Sequence, residues 1–301
     1  MQAEIDLSSL EAERSAMRPG FLESRRTRDA LGRLMIHAIL IAGAIALMVP
    51  LAWMFSTSLK GQASVFVIPP EWIPNPIHWQ NYVDVFRVVP FGRFIYNTAV
   101  ITLLSVVGKV ISCSLVAFAF ARLRWPGRNL VFVIMLATLM LPHQVTLIPQ
   151  FVLYRQLKWI DTILPLVLPH WFGGPFLTFL LRQYFMTIPV ELDDAARIDG
   201  ASIFGIYWRI ILPLARPALA AVAIFTFNST WNDFLEPLIY LHSREKYTIA
   251  LGLRSFQDQY YTSWNLLMAA SLIAMVPVLA IFFLAQKYFI QGIVFTGVEK
   301  G

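Results

Sequence analysis

The chain has 301 residues, of which 57% are hydrophobic and only 14% charged, and its mean hydropathy is +0.62. Soluble domains carry about a quarter charged residues, so this composition excludes an ordinary water-soluble globule and requires much of the surface to lie in lipid. The 24 basic residues exceed the 18 acidic ones for a net charge of +6, but they are scattered between apolar runs, which argues against a nucleic-acid partner and for anchoring of membrane helices.

Residues 1–33 are polar and end in an Arg-rich segment, Arg25, Arg26, Arg28 and Arg33. The apolar run after it is too long for a secretory signal peptide and has no small-residue cleavage site, so this segment reads as a tail before an uncleaved first helix. A spanning helix needs about 20 mostly apolar residues. Six segments qualify: Leu34–Ser58, Phe94–Phe120, Leu130–Tyr154, Ile163–Phe185, Leu214–Leu235 and Trp264–Phe289. Pro50, Pro142, Pro169 and Pro277 interrupt them, which a bundle tolerates when neighbours satisfy the freed backbone groups. The expected fold is therefore an all-α polytopic membrane protein. It divides into a tail (1–33), a first span with its outer loop (34–93), a core (94–289) and a second tail (290–301).

Basic residues concentrate on one set of connections: the N-terminal tail, "RLRWPGR" at Arg122–Arg128, Glu191–Pro217 and the C-terminal tail. That side is expected to be cytoplasmic, with both termini inside. The opposite loops, Lys60–Arg93, Arg155–Asp161 and His242–Ser263, are rich in Trp, Tyr and Pro. These aromatics suit an interfacial belt or a docking surface equally well.

Polar residues inside the spans carry the functional information. Lys109 sits mid-span among Val106, Val107, Val110 and Ile111. A charge at that depth costs roughly 2.5–3.5 kcal/mol on insertion scales, so it is expected to avoid lipid. It either lines a path through the bundle or is held by an internal partner such as a backbone carbonyl. The single cysteine, Cys113, permits no internal disulfide and reads as a small buried hydrophobe. His143 and Gln144 come directly after Pro142 and read as a tie for a kinked helix, and Arg182 reads as a snorkelling anchor. The five histidines are far apart in sequence, and no Cys/His cluster suggests a metal.

Between the fourth and fifth apolar runs lies "ELDDAARIDGASIFGIYWRIILPLARP", Glu191–Pro217. It is too charged to span and too apolar for an ordinary loop. Glu191, Asp193 and Asp194 crowd a first helical turn, where acidic side chains oppose the positive end of the helix dipole. Gly200 is a natural stop and Ser202 a natural N-cap. Two short amphipathic helices with a glycine hinge are expected, the second running to about Ile211, ahead of Pro213. Leu192, Ala195, Ile198, Ile203, Phe204, Tyr207 and Ile210 give them an apolar side. Helices this short do not hold together alone in water, so something must pack on them. The acidic start favours a protein over anionic lipid.

The order Asp194-Ala195-Ala196, three residues, Gly200, nine residues, Ile210, one residue, Leu212-Pro213 resembles the EAA signature of ATP-binding cassette (ABC) importer permeases. Asp194 stands where that family usually has glutamate, which keeps the charge and shortens the reach. "AFAFARLRWPGR" (Ala117–Arg128), "LPHQVTLIPQF" (Leu141–Phe151), "TWNDFLEPLIY" (Thr230–Tyr240) and "LLMAAS" (Leu266–Ser271) are similar to the carbohydrate-uptake branch, whose small maltose-type permease has six helices in the type I importer fold. The resemblance covers at least residues 90–301. It implies that 190–213 is a coupling loop docking on a separate ATPase, with Glu191, Asp194, Ala195, Ala196, Gly200, Ile210, Leu212 and Pro213 as the residues concerned. It further implies a second permease subunit, two ATPase subunits that bind the ATP and Mg, an extracytoplasmic solute-binding protein, a carbohydrate substrate and a place in the bacterial inner membrane. No Gly-x-x-x-x-Gly-Lys phosphate loop occurs in this sequence. The chain is accordingly expected to be a transport subunit without its own cofactor or catalytic residues, working by alternating access.

Late in the fifth run, Asn228, Asn232 and Glu236 repeat every four residues, with Asp233 beside them. Hydroxyl-rich solutes are bound by such groups, and Trp231 and Phe234 are adjacent. The competing reading is a polar seam between helices. The resemblance favours the seam, since in the maltose-type system the larger permease holds the sugar. Two other function classes remain beside the importer: an ATPase-independent secondary transporter, against which the EAA spacing speaks, and a membrane enzyme acting on lipid-linked sugar, for which no loop offers a convincing catalytic set.

Overall fold

The computed structural model describes residues 25–257 and 262–294, and every regular element within them is helical. The chain divides into two units between Ser56 and Thr57. The first contains most of α1 (Arg25–Ser58), with Pro50 inside it. This helix begins upstream of Leu34, so the basic segment Arg25–Arg33 forms its opening turns. The two chain ends, expected on the cytoplasmic side, lie outside the described residues.

The second unit is arranged around α3 (Phe91–Arg122). At 1.5 Å per residue this helix is about 48 Å long, well beyond the roughly 30 Å of hydrocarbon in a bilayer. Its inner face is lined by small residues, Ser105, Gly108, Cys113, Ser114 and Ala117, all buried. They let neighbours approach closely, as small residues do between membrane helices. A Cβ on Gly108 would stand 2.5 Å from the Trp171 ring. Against α3 pack α7 (Pro175–Thr187), α11 (Arg216–Trp231) and the tight turn Leu168–Phe172 at the end of α6 (Leu164–Val167).

Four stretches are long and apolar enough to cross a membrane: Leu31–Ser58, Phe91–Arg122, Leu164–Thr187 and Trp264–Gln286. Two bent helix pairs bring the total to six. The third and fifth apolar runs are not single helices, and the third breaks at Pro142, one of the prolines that interrupt the runs in the sequence. The third is α4 (Arg128–Ala137), a 3-10 turn to Met140, and α5 (His143–Gln156), bent by 98°. Leu141 and Pro142 are extended there, because the proline ring excludes the residue before it from helical geometry. The fifth apolar run starts at a 79° bend at Ala215. It ends as a helix at Trp231, and Leu235–Tyr240 forms a separate helix, α12. The last helix, α13 (Trp264–Val294), extends past Phe289.

The connection after α1 is tied down through α2 (Gln80–Val88). The buried Asn81 side chain donates to the carbonyls of Ser58 and Lys60 and accepts from Asn265. Val85, Phe91 and Phe94 pack there with Trp231, Phe256 and Leu267. A second apolar core, Cys113, Phe118, Leu181, Phe185, Ile206, Tyr207 and Ile211, lies under the stretch that carries the EAA-like spacing.

Candidate functional site

Residues Glu191–Leu214 fold into four short pieces. The first, α8 (Glu191–Ile198), opens on Glu191, Asp193 and Asp194. Gly200 comes next with φ +79°, a left-handed conformation that glycine adopts without cost and other residues resist. No atom lies within 4 Å of a Cβ built there. Ser202 caps the second piece, accepting a hydrogen bond from the Gly205 amide through its hydroxyl at 3.1 Å.

That second helix does not stop at Ile211. It runs from α9 (Ile203–Ile206) through a π-helical turn, Tyr207–Ile211, into α10 (Leu212–Leu214). Pro213 is thus carried inside it. A proline clashes with the carbonyl four residues back and donates no hydrogen bond. The wider π turn is one of the devices that absorb such a break.

The two neighbouring aspartates have opposite fates. Asp193 points inward, its side chain 3% exposed, and meets the equally buried Arg122 guanidinium at 3.5 Å. Arg122 also donates to the Ile188 carbonyl at 2.7 Å, so the end of α3 grips both ends of the turn that leads into α8. Burial pushes the Asp193 carboxyl up from its ordinary value, while Arg122 and then Arg197 pull it down and Asp194 adds to the rise. Asp194 points outward and pairs with exposed Arg197 at 3.1 Å.

The apolar residues read as the packing side of this stretch largely face out. Ala196, Ile206, Tyr207 and Ile211 are buried. Leu192, Ile198, Ile203, Phe204 and Trp208 are exposed, Ile198 to 87%. Phe204 and Trp208 stack at 6.3 Å on that outer surface. Glu191 and Ala195 share the exposed side, Ile210 and Leu212 are half-buried, and Pro213 is exposed.

Lys109 is half-buried and its ammonium donates to the Gly173 carbonyl at 2.7 Å. Gly173 (φ +85°) and Gly174 interrupt the span between Leu164 and Thr187. The break turns a carbonyl sideways into the bundle, where a mid-span cation can use it. Arg182 is half-buried, its guanidinium 4.2 Å from the Phe132 ring centre and its Nε donating to the Phe120 carbonyl.

The four polar residues late in the fifth run are split. Asn232 donates to the Asn228 side chain and carbonyl, and both remain exposed. Asp233 caps α12 by accepting from the amides of Leu235 and Glu236. Glu236 meets the His143 ring at 3.1 Å. Asp233, Glu236 and His143 line a cavity of about 260 Å³ with His170, Ser229, Thr230 and Thr248. Asn228 and Asn232 are not among its walls. The His143–Glu236 pair was invisible in the sequence, because no local spacing links the two. Among the described residues no group of three or more His, Cys, Asp or Glu is arranged to hold a metal ion.

Elsewhere, Asp161 fastens two loops together. Its carboxylate accepts from the amides of His242 and Ser243 at 3.0 and 2.9 Å, from the Ser243 hydroxyl, and from Lys246 at 2.8 Å. Burial alone would raise this carboxyl, but the hydrogen bonds of Lys246, Ser243 and His242 hold it well below the usual carboxylate range.

Comparison with known proteins agrees with this architecture. Residues 110–294 match the family model of the binding-protein-dependent transport system inner membrane component. A permease protein of the sn-glycerol-3-phosphate transport system of Yersinia enterocolitica is 35% identical over 281 residues, covering 91% of this chain and 98% of that protein. The same system's permease protein from Pectobacterium atrosepticum is 36% identical over the same length and coverage. A crystal structure of a bacterial ABC transporter that imports the acidic polysaccharide alginate contains a chain with TM-score 0.78 and 25% identity, covering 90% of this chain and 100% of that one. A second alginate transporter structure, in complex with its pentasaccharide-bound periplasmic protein, matches with TM-score 0.62 at 20% identity over 86% of this chain and 93% of that one.

Proposed function

This chain belongs to the family of binding-protein-dependent transport system inner membrane components, and from that premise we propose that it forms one half of the translocation pathway of an ATP-driven carbohydrate importer, coupled to a separate ATPase through Glu191–Leu214. The observation that carries the coupling assignment is the outward apolar face of Leu192, Ile198, Ile203, Phe204 and Trp208 on a helix pair that begins with three acidic residues. Exposed aromatic and aliphatic residues beside charged ones are the composition of a protein interface. Asp194, paired only at the surface with Arg197, is free to exchange that partner for a donor on the ATPase. Gly200 sets the angle between the two helices.

In this reading the coupling loop faces the cytoplasm, as do both termini. The partners are a second permease subunit, two ATPase subunits holding ATP and Mg, and an extracytoplasmic binding protein that delivers the sugar. The relatives' names support a sugar, oligosaccharide or glycerol-phosphate substrate. Movement of the coupling loops on closure of the ATPase pair opens the permease pair to the outside, by rigid-body rocking about packed helices. The cavity of His143, Asp233 and Glu236 is the candidate stretch of the path in this subunit, with Lys109 close to it. Asn228 and Asn232 bond to each other within the end of α11 and stand outside that cavity.

Reconstitution tests the reading. Proteoliposomes holding this chain with a second permease and the ATPase subunits should take up labelled sugar only with ATP inside and loaded binding protein outside. Uptake by this chain without an ATPase would contradict it and favour a secondary transporter.

A further inference from the structure

The connection between α3 and α4 holds a basic feature that coupling does not explain. Arg122, Arg124, Arg128 and Arg197 line an open groove of about 770 Å³ together with Trp125, Asp193 and Asp194. Two of these arginines are already neutralised, Arg122 by Asp193 and Arg197 by Asp194. Among the described residues neither Arg124 nor Arg128 forms an ion pair. Arg128 spends one nitrogen on the Leu123 carbonyl and another on Asn129. Arg124, Trp125 and Arg128 also border a smaller hollow of about 330 Å³ that ends at Leu130.

The helix that leaves this groove decides what kind of anion belongs there. Helix α4 starts at Arg128, and Leu130, Val131, Val133 and Ile134 on it are all exposed. An apolar, uncovered face that continues from the groove suits acyl chains. The two unpaired arginines therefore stand at the polar end of a lipid-facing surface. Trp125 sits between them, its ring 5.8 Å from Phe120, where an amphipathic aromatic suits the headgroup level. Basic pockets between membrane helices on the cytoplasmic side bind anionic headgroups.

We propose that the Arg124–Arg128 groove is a binding site for one anionic phospholipid, its phosphodiester between the two guanidinium groups and its acyl chains along Leu130, Val133 and Ile134. Guanidinium suits phosphate because its donors lie in a fork that meets two oxygens at once. The same groove is walled on its other side by Asp193, Asp194 and Arg197 of α8. On the reading of Glu191–Leu214 as the coupling element, an occupied site would therefore lie directly against the coupling helix.

The test is retention of lipid by the purified full-length chain with its co-purifying subunits in neutral detergent, read by native mass spectrometry. Phosphatidylglycerol and phosphatidylcholine are offered at equal concentration, with inorganic phosphate as a third arm. Wild type should keep phosphatidylglycerol over phosphatidylcholine. The Arg124→Gln, Arg128→Gln double variant should weaken it about 30-fold, the factor that two basic residues contribute at a membrane surface. Circular dichroism checks that the variant is folded, and the charge-keeping Arg124→Lys, Arg128→Lys variant, which lacks the fork, should retain phosphatidylglycerol better than the glutamine variant and less well than wild type. Equal retention of both lipids, or undiminished binding by the glutamine variant, would overturn the site. Displacement of the lipid by an equal concentration of inorganic phosphate would reduce it to a plain anion site and overturn the lipid assignment.

Discussion

The Glu191–Leu214 loop and the His143–Glu236 cavity are built in opposite ways. The loop takes all its residues from one run of chain, presents apolar side chains outward and turns a charge inward. The cavity gathers Thr98, His143, His170, Asp233 and Thr248 from distant segments and keeps its polar groups inside. A surface that waits for a partner can be written locally, because its geometry needs only helical spacing, a cap and a hinge. A polar site in the middle of a bundle needs the bundle first. The loop does depend on the bundle at one point, the buried Arg122–Asp193 pair.

Breaking that point should have the largest effect. Arg122→Leu leaves the Asp193 carboxylate buried without its partner, a loss of about 3–5 kcal/mol for such pairs. Replacing both, as Arg122→Met with Asp193→Leu, should recover most of it, because removing both charges also removes their desolvation cost. Thermal unfolding and limited proteolysis at 191–214 would read both. A double variant no better than the single one would show that the pair is not what anchors the loop.

Two glycines sharpen the comparison next. Gly108→Val puts a side chain into the Trp171 ring, where even a Cβ comes to 2.5 Å. Overpacking of this kind costs typically 1–3 kcal/mol, so the midpoint of thermal unfolding should drop clearly. Gly200→Val meets open space, and only its left-handed φ opposes it, by about 1–2 kcal/mol. Its melting should change less, while coupling fails. Equal melting losses would mean that the loop is packed like the core.

Asp161→Asn should cost less, about 1 kcal/mol or below, since Asp161 and Lys246 are both partly exposed. The Asp161 carboxyl is held below its ordinary value in the fold. Its stabilisation is therefore complete above the unfolded carboxylate range and fades as pH falls through the lower folded value. The gap between wild type and Asp161→Asn should be constant near neutrality and close in strong acid. A gap that widens on acidification would contradict the clasp.

The smallest effect on stability is expected for Glu236→Gln, within about 0.5 kcal/mol, because His143 and Glu236 are both partly exposed. If the cavity is part of the path, uptake should fall while the ATPase subunits stay bound. Unchanged uptake would return His143 and Glu236 to a structural tie.

The loop was the more legible of the two regions. The EAA-like spacing, the hinge at Gly200 and the Ser202 cap are local, and the left-handed Gly200 and the Ser202 cap stand in the structure where the residues suggest. The direction of each side chain was not legible. Asp193 and Asp194 are adjacent and chemically identical, yet one turns in to Arg122 and the other pairs with Arg197 at the surface. Hydropathy marked the apolar runs but not the 98° and 79° bends within or beside them. Those arise at Pro142, and at Ala215 just before Arg216 and Pro217, where backbone geometry rather than burial decides. Lys109 could be read as a costly charge, but its partner is a carbonyl freed by the Gly173–Gly174 break. A partner supplied by main chain leaves no residue-type signal.

The most direct test of the central claim compares Gly200→Asp and Asp194→Lys with wild type in the assembled transporter. Retention of the ATPase subunits on membranes and hydrolysis stimulated by loaded binding protein would be measured together, with insertion of the spans as the control. The account predicts normal insertion in both variants, with the ATPase released or its hydrolysis no longer stimulated, and no uptake. Normal uptake with the ATPase still bound in both variants would contradict it and leave Glu191–Leu214 as a helix pair resting on the membrane surface.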